Sequence, residues 1–225
     1  LKVTYSSTYG IYELPGHKYN LMDSQQLLTL QRDRGVSAGA GQNALLSDYL
    51  GANFGDPLTD DQIRRAPNQN WVDVFFRTSE TQSHNISLSS GGEKLNQFTS
   101  FSYVDQSGIV NNTDFQRFTM RNNLNGKNDS GKFTYGSSFT VAFSTRNQLG
   151  QETNDGINNN VVQNPLLGGV TGVPYFSESF YPGSGQGLYD LIGTDFDGGN
   201  TTLVLQDLLQ EGNQPNRYKE FKLLG

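Results

Sequence analysis

Residues 133–145 read Phe-Thr-Tyr-Gly-Ser-Ser-Phe-Thr-Val-Ala-Phe-Ser-Thr. Successive side chains of an extended strand point to opposite sides, so Phe133, Tyr135, Phe139, Val141 and Phe143 share one face. Thr134, Gly136, Ser138, Thr140, Ala142 and Ser144 share the other. A soluble antiparallel sheet wets its second face, usually with Lys and Glu, whereas here that face is small and uncharged. The alternation also outruns the roughly 5–6 residues usual for a soluble strand. In a transmembrane barrel, apolar side chains meet lipid and small polar ones meet a watery lumen. That geometry accounts for both faces of this stretch.

Working outward, the same period recurs. Val3, Tyr5, Tyr9 and Ile11 alternate with Lys2, Thr4, Ser6, Thr8 and Gly10. Ile86 and Leu88 alternate with Asn85, Ser87 and Ser89, and Thr99, Phe101 and Tyr103 with Ser100 and Ser102. Phe98 and Val104 blur the latter pattern. Phe118, Met120 and Leu124 oppose Arg117, Thr119, Arg121 and Asn123. The tail from Tyr218 to Leu223 begins a sixth strand. Strands are therefore expected near 1–11, 81–90, 96–110, 115–126, 132–146 and 217–225. Ile86, Leu88, Phe118, Met120, Phe133, Tyr135, Phe139, Val141 and Phe143 are expected to face lipid, and Arg117 and Arg121 the lumen.

The connections alternate in length. Residues 90–94 and 126–131 are tight turns, while 12–80 and 147–216 are long loops. Short turns at one end and long loops at the other suit an outer-membrane barrel, periplasmic and extracellular respectively. The expected fold is all-β: antiparallel up-and-down strands of a transmembrane β-barrel, partial at about six strands, with two long extracellular loops carrying short helices. In the first loop, Asp23 or Ser24 can cap a helix bearing Leu27, Leu28 and Leu30. Thr59 can cap Asp60–Arg65, with acids in its first turn and bases in its last, before Pro67 stops it. Trp71, Val74, Phe75 and Phe76 read as the segment that anchors re-entry into a strand.

Composition agrees with many strands and long connections. Of 225 residues, 26 are Gly, 22 Asn, 20 Ser and 17 Thr, yet 12% are aromatic, which argues against simple disorder. The net charge of −6 and the lack of a basic run exclude a nucleic-acid footprint. Without Cys there is no disulfide or thiolate chemistry, and two His cannot form a three-His zinc site. The chain opens in mid-pattern without Met, as expected of a piece of a longer protein.

Several runs occur in a suggestive order. They are Asn70-Trp71-Val72-Asp73-Val74-Phe75-Phe76-Arg77-Thr78, Gln82-Ser83-His84-Asn85-Ile86-Ser87-Leu88-Ser89-Ser90-Gly91-Gly92, Phe101-Ser102-Tyr103-Val104-Asp105-Gln106-Ser107-Gly108-Ile109-Val110, and Asp114-Phe115-Gln116-Arg117-Phe118. Together with Asp23-Ser24-Gln25-Gln26, this set resembles the SusC/RagA type of TonB-dependent outer-membrane transporter. The resemblance covers 1–145 well and 146–225 only in general character. It implies a barrel of about 22 strands closed by an N-terminal plug. It also implies import of oligosaccharides or peptides across the outer membrane of a Bacteroidetes-type envelope, energised through TonB, under a SusD-type lipoprotein lid. This chain would be the N-terminal part of such a barrel with the plug absent, and TonB would act through the missing N-terminal region. The partners implied are outer-membrane lipid, the lipoprotein, TonB and the oligosaccharide or peptide.

Site candidates are few. Tyr175, Phe176, Phe180, Tyr181 and Tyr189 form the best contact surface for substrate or lid, since sugars stack on aromatic faces and a lid needs apolar anchors. Packing of the long loop on its neighbours explains the same residues. Asp195-Phe196-Asp197-Gly198 begins like a calcium loop but lacks the later ligands, so no cofactor is expected beyond that weak Ca2+ motif. His84 and His17 read as hydrogen-bonded rather than catalytic, and Gly183–Gly187 as a loop tip. No acid/base pair or nucleophile points to an enzyme. The alternative reading is a soluble or cell-surface all-β glycan-binding module.

Overall fold

The computed structural model describes residues 1–16, 18–148, 164–193, 200–210 and 216–225. These divide into two compact units: a sheet unit of residues 1–14, 77–148 and 216–225, and a loop unit drawn from 15–76, 164–193 and 200–210.

The sheet unit consists of β1 (Lys2–Tyr12), β2 (Ser79–Gly91), β3 (Leu95–Ser107), β4 (Asp114–Lys127), β5 (Thr134–Gln148) and β6 (Asn216–Leu224). All pairings are antiparallel, and strand order follows chain order from β1 to β6. The sheet is thus an up-and-down meander of unusually long strands, 13 residues in β2 and 15 in β5. At the β4–β5 turn, Gly131 takes φ +68° and donates to the Asn128 carbonyl at 3.0 Å. Lys94 in the β2–β3 turn forms an ion pair with Asp129 of that neighbouring turn.

Register turns the alternation of single strands into two continuous faces. Tyr5, Ile86, Phe101, Met120, Val141 and Leu223 stand in one row across all six strands. Ser7, His84, Tyr103, Phe118, Phe143 and Phe221 form the next row on the same face. The opposite face carries Ser6, Asn85, Ser102, Thr119, Ala142 and Lys222 in one row. Polar residues that intrude on the apolar face satisfy each other: Asn122 Nδ2 donates to Thr99 Oγ1 at 2.8 Å between directly paired positions. Gly126 is covered by the ring of Tyr135, its cross-strand partner, so that a Cβ there would lie 2.2 Å from the ring.

The loop unit is helical. It contains α1 (Ser24–Arg34), α2 (Ala44–Leu50), α3 (Asp60–Arg65), α4 (Trp71–Phe75), α5 (Pro165–Thr171), α6 (Gly185–Ile192) and α7 (Asn200–Gln210). None of these is long and apolar enough to cross a membrane. Capping sets their starts. Asp23 with Gln26, and Thr59 with Gln62, form capping boxes, and Asn43, Asn70, Asn164 and Ser184 cap α2, α4, α5 and α6.

Helices this short are marginal alone and need a tertiary core. Leu28, Leu46, Leu58, Ile63, Trp71 and Phe75 from the first long segment supply one half, and Tyr175, Phe176, Leu188, Leu203 and Leu205 from the second supply the other. Two expectations change here. Trp71–Phe75 is a helical turn buried in this core, not a strand entry, because Asn70 caps it by accepting from the Val72 N–H at 3.1 Å. Gly183–Gly187 is not a loop tip alone, since Ser184 caps α6 from Gly185 onward.

Candidate functional site

In the sheet unit the functional feature is the contrast between its faces. Tyr5, Ile86, Phe118, Tyr135, Phe143 and Phe221 are exposed on the apolar face, a contiguous apolar surface that a water-soluble sheet would cover. Leu88, Met120, Phe139 and Val141 lie on the same face, half-buried among these neighbours. Phe133 precedes β5, and its ring centroid is 6.3 Å from that of Tyr135. Arg117 and Arg121 are exposed on the opposite face, beside Ser144 and Thr140 of β5. His84 sits on the apolar face, not among its polar sequence neighbours Ser83 and Asn85, and the Tyr5 hydroxyl lies 2.8 Å from its Nδ1.

In the loop unit, the five aromatics expected to form a contact surface separate. Tyr175 and Phe176 are 2% and 0% exposed and pack edge-to-face at 5.5 Å. Phe176 meets Phe180 in turn at 5.6 Å. Tyr175 and Phe176 therefore belong to the core and offer no free ring face, which corrects the expectation for these two. Tyr181 is half-buried and donates from its hydroxyl to Asp207 Oδ1 at 2.7 Å. Tyr189 remains 59% exposed. Asp195, Asp197 and His17 lie outside the described residues. Among the described residues no cluster of three His, Asp or Glu side chains is placed to hold a metal ion.

The loop unit also holds a cavity of about 550 Å³, a size typical of small-ligand sites. Three walls form it: the extended segment Tyr19–Met22 leading into α1, the segment Asn68–Asn70 leading into Trp71, and Gly169–Pro174 at the end of α5. The last two are clamped together, because the Gln69 N–H donates to the Pro174 carbonyl at 2.7 Å and Trp71 Nε1 to the Val173 carbonyl at 2.9 Å. The Ser24 N–H donates to Asn68 Oδ1 at 3.0 Å, tying the middle wall to α1. Sequence reading passed over Tyr19, Asn20, Asn68 and Gln69. The available signal was an amide-rich run, Asn68-Gln69-Asn70, held between a helix-stopping proline and a tryptophan.

Electrostatics elsewhere in this unit are structural. Arg32 Nη1 lies 2.6 Å from Asp60 Oδ1 and holds the Asp60 carboxyl below its ordinary value.

No protein-family model matches the chain. It is 35% identical over 82 residues to the TonB-dependent receptor SusC of Bacteroides thetaiotaomicron, a match spanning 36% of this chain and 7% of that protein. Two solved structures of the RagAB peptide importer share its fold. The 'closed-closed' state aligns with TM-score 0.56 and 18% identity, and the 'open-open' state with 0.54 and 20%. Each alignment covers 77% of this chain and 20% of the importer chain, so the chain spans about a fifth of that length. Over those 82 residues the chain is similar to SusC, and the likeness to the RagAB importer shows that the two share a fold.

Proposed function

We propose that this chain is a section of the wall and outer loops of an outer-membrane TonB-dependent transporter that imports oligosaccharides or peptides under a SusD-type lipoprotein. The observation that carries the reading is the unbroken apolar row Tyr5–Ile86–Phe101–Met120–Val141–Leu223, backed by a face of Ser, Thr and Asn. A sheet that is apolar toward lipid and polar toward a lumen hydrogen-bonds its backbone strand to strand, as the hydrocarbon core demands. Six strands cannot close such a pore, so transport belongs to the whole barrel. In that barrel the loop unit faces the cell exterior, the lipoprotein partner docks outside, and the energy arrives through TonB. The parent protein works as a receptor and conduit and catalyses no reaction. A soluble glycan-binding module with these strands would need a second layer over the apolar face.

The test is a matched pair of arginines in the full-length protein. Phe139→Arg places a charge on the lipid face, at about 2–4 kcal/mol near the membrane midplane, while Thr140→Arg places the same charge on the lumen face. Outer-membrane fractionation and protease resistance should show assembly lost in the first variant and kept in the second. Normal assembly of Phe139→Arg would overturn the reading.

A further inference from the structure

On the apolar face of the sheet, register also fixes where the apolar rows end. The row through Tyr103, Phe118, Phe143 and Phe221 is the last of them toward the strand ends that lead into the long connections. One step further stand Asp105, Gln116, Thr145 and Lys219, and beyond these Ser107, Asp114, Asn147 and Arg217. The face thus changes from aromatic to polar within a single row. In a membrane barrel an aromatic girdle followed by polar residues marks the height of the lipid headgroups. On the importer reading this end of the sheet faces the cell exterior, so the headgroups are those of the outer leaflet.

The sheet otherwise keeps its cations off this face. Lys2, Arg117, Arg121, Lys127, Arg146 and Lys222 all stand on the polar face, and on the apolar face of the six strands Arg217 and Lys219 are the only Lys or Arg. The carboxylates of the same rows are engaged locally. Asp105 accepts from the Tyr103 hydroxyl at 3.3 Å and from Gln116 Nε2 at 3.4 Å. Asp114 accepts from Asn147 Nδ2 at 2.6 Å, and Glu80 accepts from the Tyr9 hydroxyl. Arg217 and Lys219 are exposed, and neither forms an ion pair or hydrogen bond among the described residues.

Two residues apart on one strand face, the two cations are about 7 Å apart at the backbone, close enough for both long side chains to reach one anion. A guanidinium takes phosphate oxygens in pairs, and an ammonium adds a compact charge. Beside them toward the membrane, Phe143 and Phe221 are 48% and 67% exposed and offer ring faces to acyl chains. From this placement we infer that Arg217 and Lys219 bind the phosphate of an outer-leaflet glycolipid, whose acyl chains lie along Phe143 and Phe221. The inference rests on the importer reading and goes beyond it, because it assigns a lipid-binding site at β6.

The test counts lipid bound to the full-length transporter by native mass spectrometry from detergent micelles. The probes are monophosphoryl lipid A, its dephosphorylated form, and inorganic phosphate as competitor. The phosphorylated lipid should bind about five-fold more weakly to Arg217→Gln and to Lys219→Gln. Arg121→Gln, the same loss of charge on the polar face, should bind it as wild type does. Three results would overturn the assignment: binding that both β6 variants leave intact, equal binding of the dephosphorylated lipid, or displacement by millimolar inorganic phosphate, the mark of a site for soluble anions. Outer-membrane fractionation of Phe139→Arg reports on the importer reading alone, so failure of the lipid site is distinguishable from failure of that reading.

Discussion

A methyl group on Gly172 would sit 2.7 Å from Trp71 Cδ1, from Thr202 Cγ2 and from the Gly168 carbonyl oxygen. Backbone therefore passes directly over the tryptophan that closes the loop core, and Gly172→Ala is expected to destabilise that core by about 1–3 kcal/mol through overpacking. Limited proteolysis of the full-length protein should show faster cutting within residues 15–76, with the strand segments as resistant as before. At Asp60 the expectation concerns pH. Its folded pKa lies below the ordinary carboxylate value because the Arg32 guanidinium donates to and stabilises the carboxylate. The contribution of the pair is thus present above the unfolded pKa and lost as pH falls through the folded one. Wild type and Asp60→Asn should differ in loop proteolysis near neutral pH and converge in strong acid, whereas a difference that persists there would dismiss the pair as the cause. Single residues were the scale least legible in sequence. Tyr175, Phe176 and Tyr189 look alike in a string, yet two are core and one is surface, because neighbours distant in the chain decide burial.

Elements were legible wherever a local rule operates. Strand alternation is such a rule, since the side-chain period of two is a property of the extended backbone, and β2 to β5 are extended over at least 13 residues each. The capped helices α1 and α3 were equally visible through Asp23 and Thr59. Replacing Thr59 with Ala removes the side chain that accepts the Gln62 N–H and should cost about 1 kcal/mol, within the usual cap range. Amide exchange across Asp60–Arg65 in the full-length protein would check this, and unchanged protection would mean that tertiary contacts alone hold α3. The remaining helices escaped notice for a physical reason. Spans such as Trp71–Phe75 and Gly185–Ile192 are too short to display a helical period, and their valines, aromatics and glycines favour other conformations locally.

At the scale of the molecule, two segments separated by the strands β2 to β5 fold into one helical unit. Trp71 of the first donates to Val173 of the second, and Leu28, Phe75, Phe176 and Leu203 are buried in the same unit. Replacing residues 150–214 with a short turn in the full-length protein should leave 15–76 open to protease while the strands still assemble in the membrane. A protease-resistant 15–76 would show instead that the first segment is self-sufficient. The sequence by itself determined the two-faced strands, their number and the capped starts of α1 and α3, because alternation and capping act over a few residues. Only the tertiary structure decided that His84 stands with Ile86 on the apolar face beside Tyr5, that Tyr175 and Phe176 are core, and that a cavity opens between three segments. Those outcomes depend on register and on packing between residues far apart in the chain, and no local pattern encodes them.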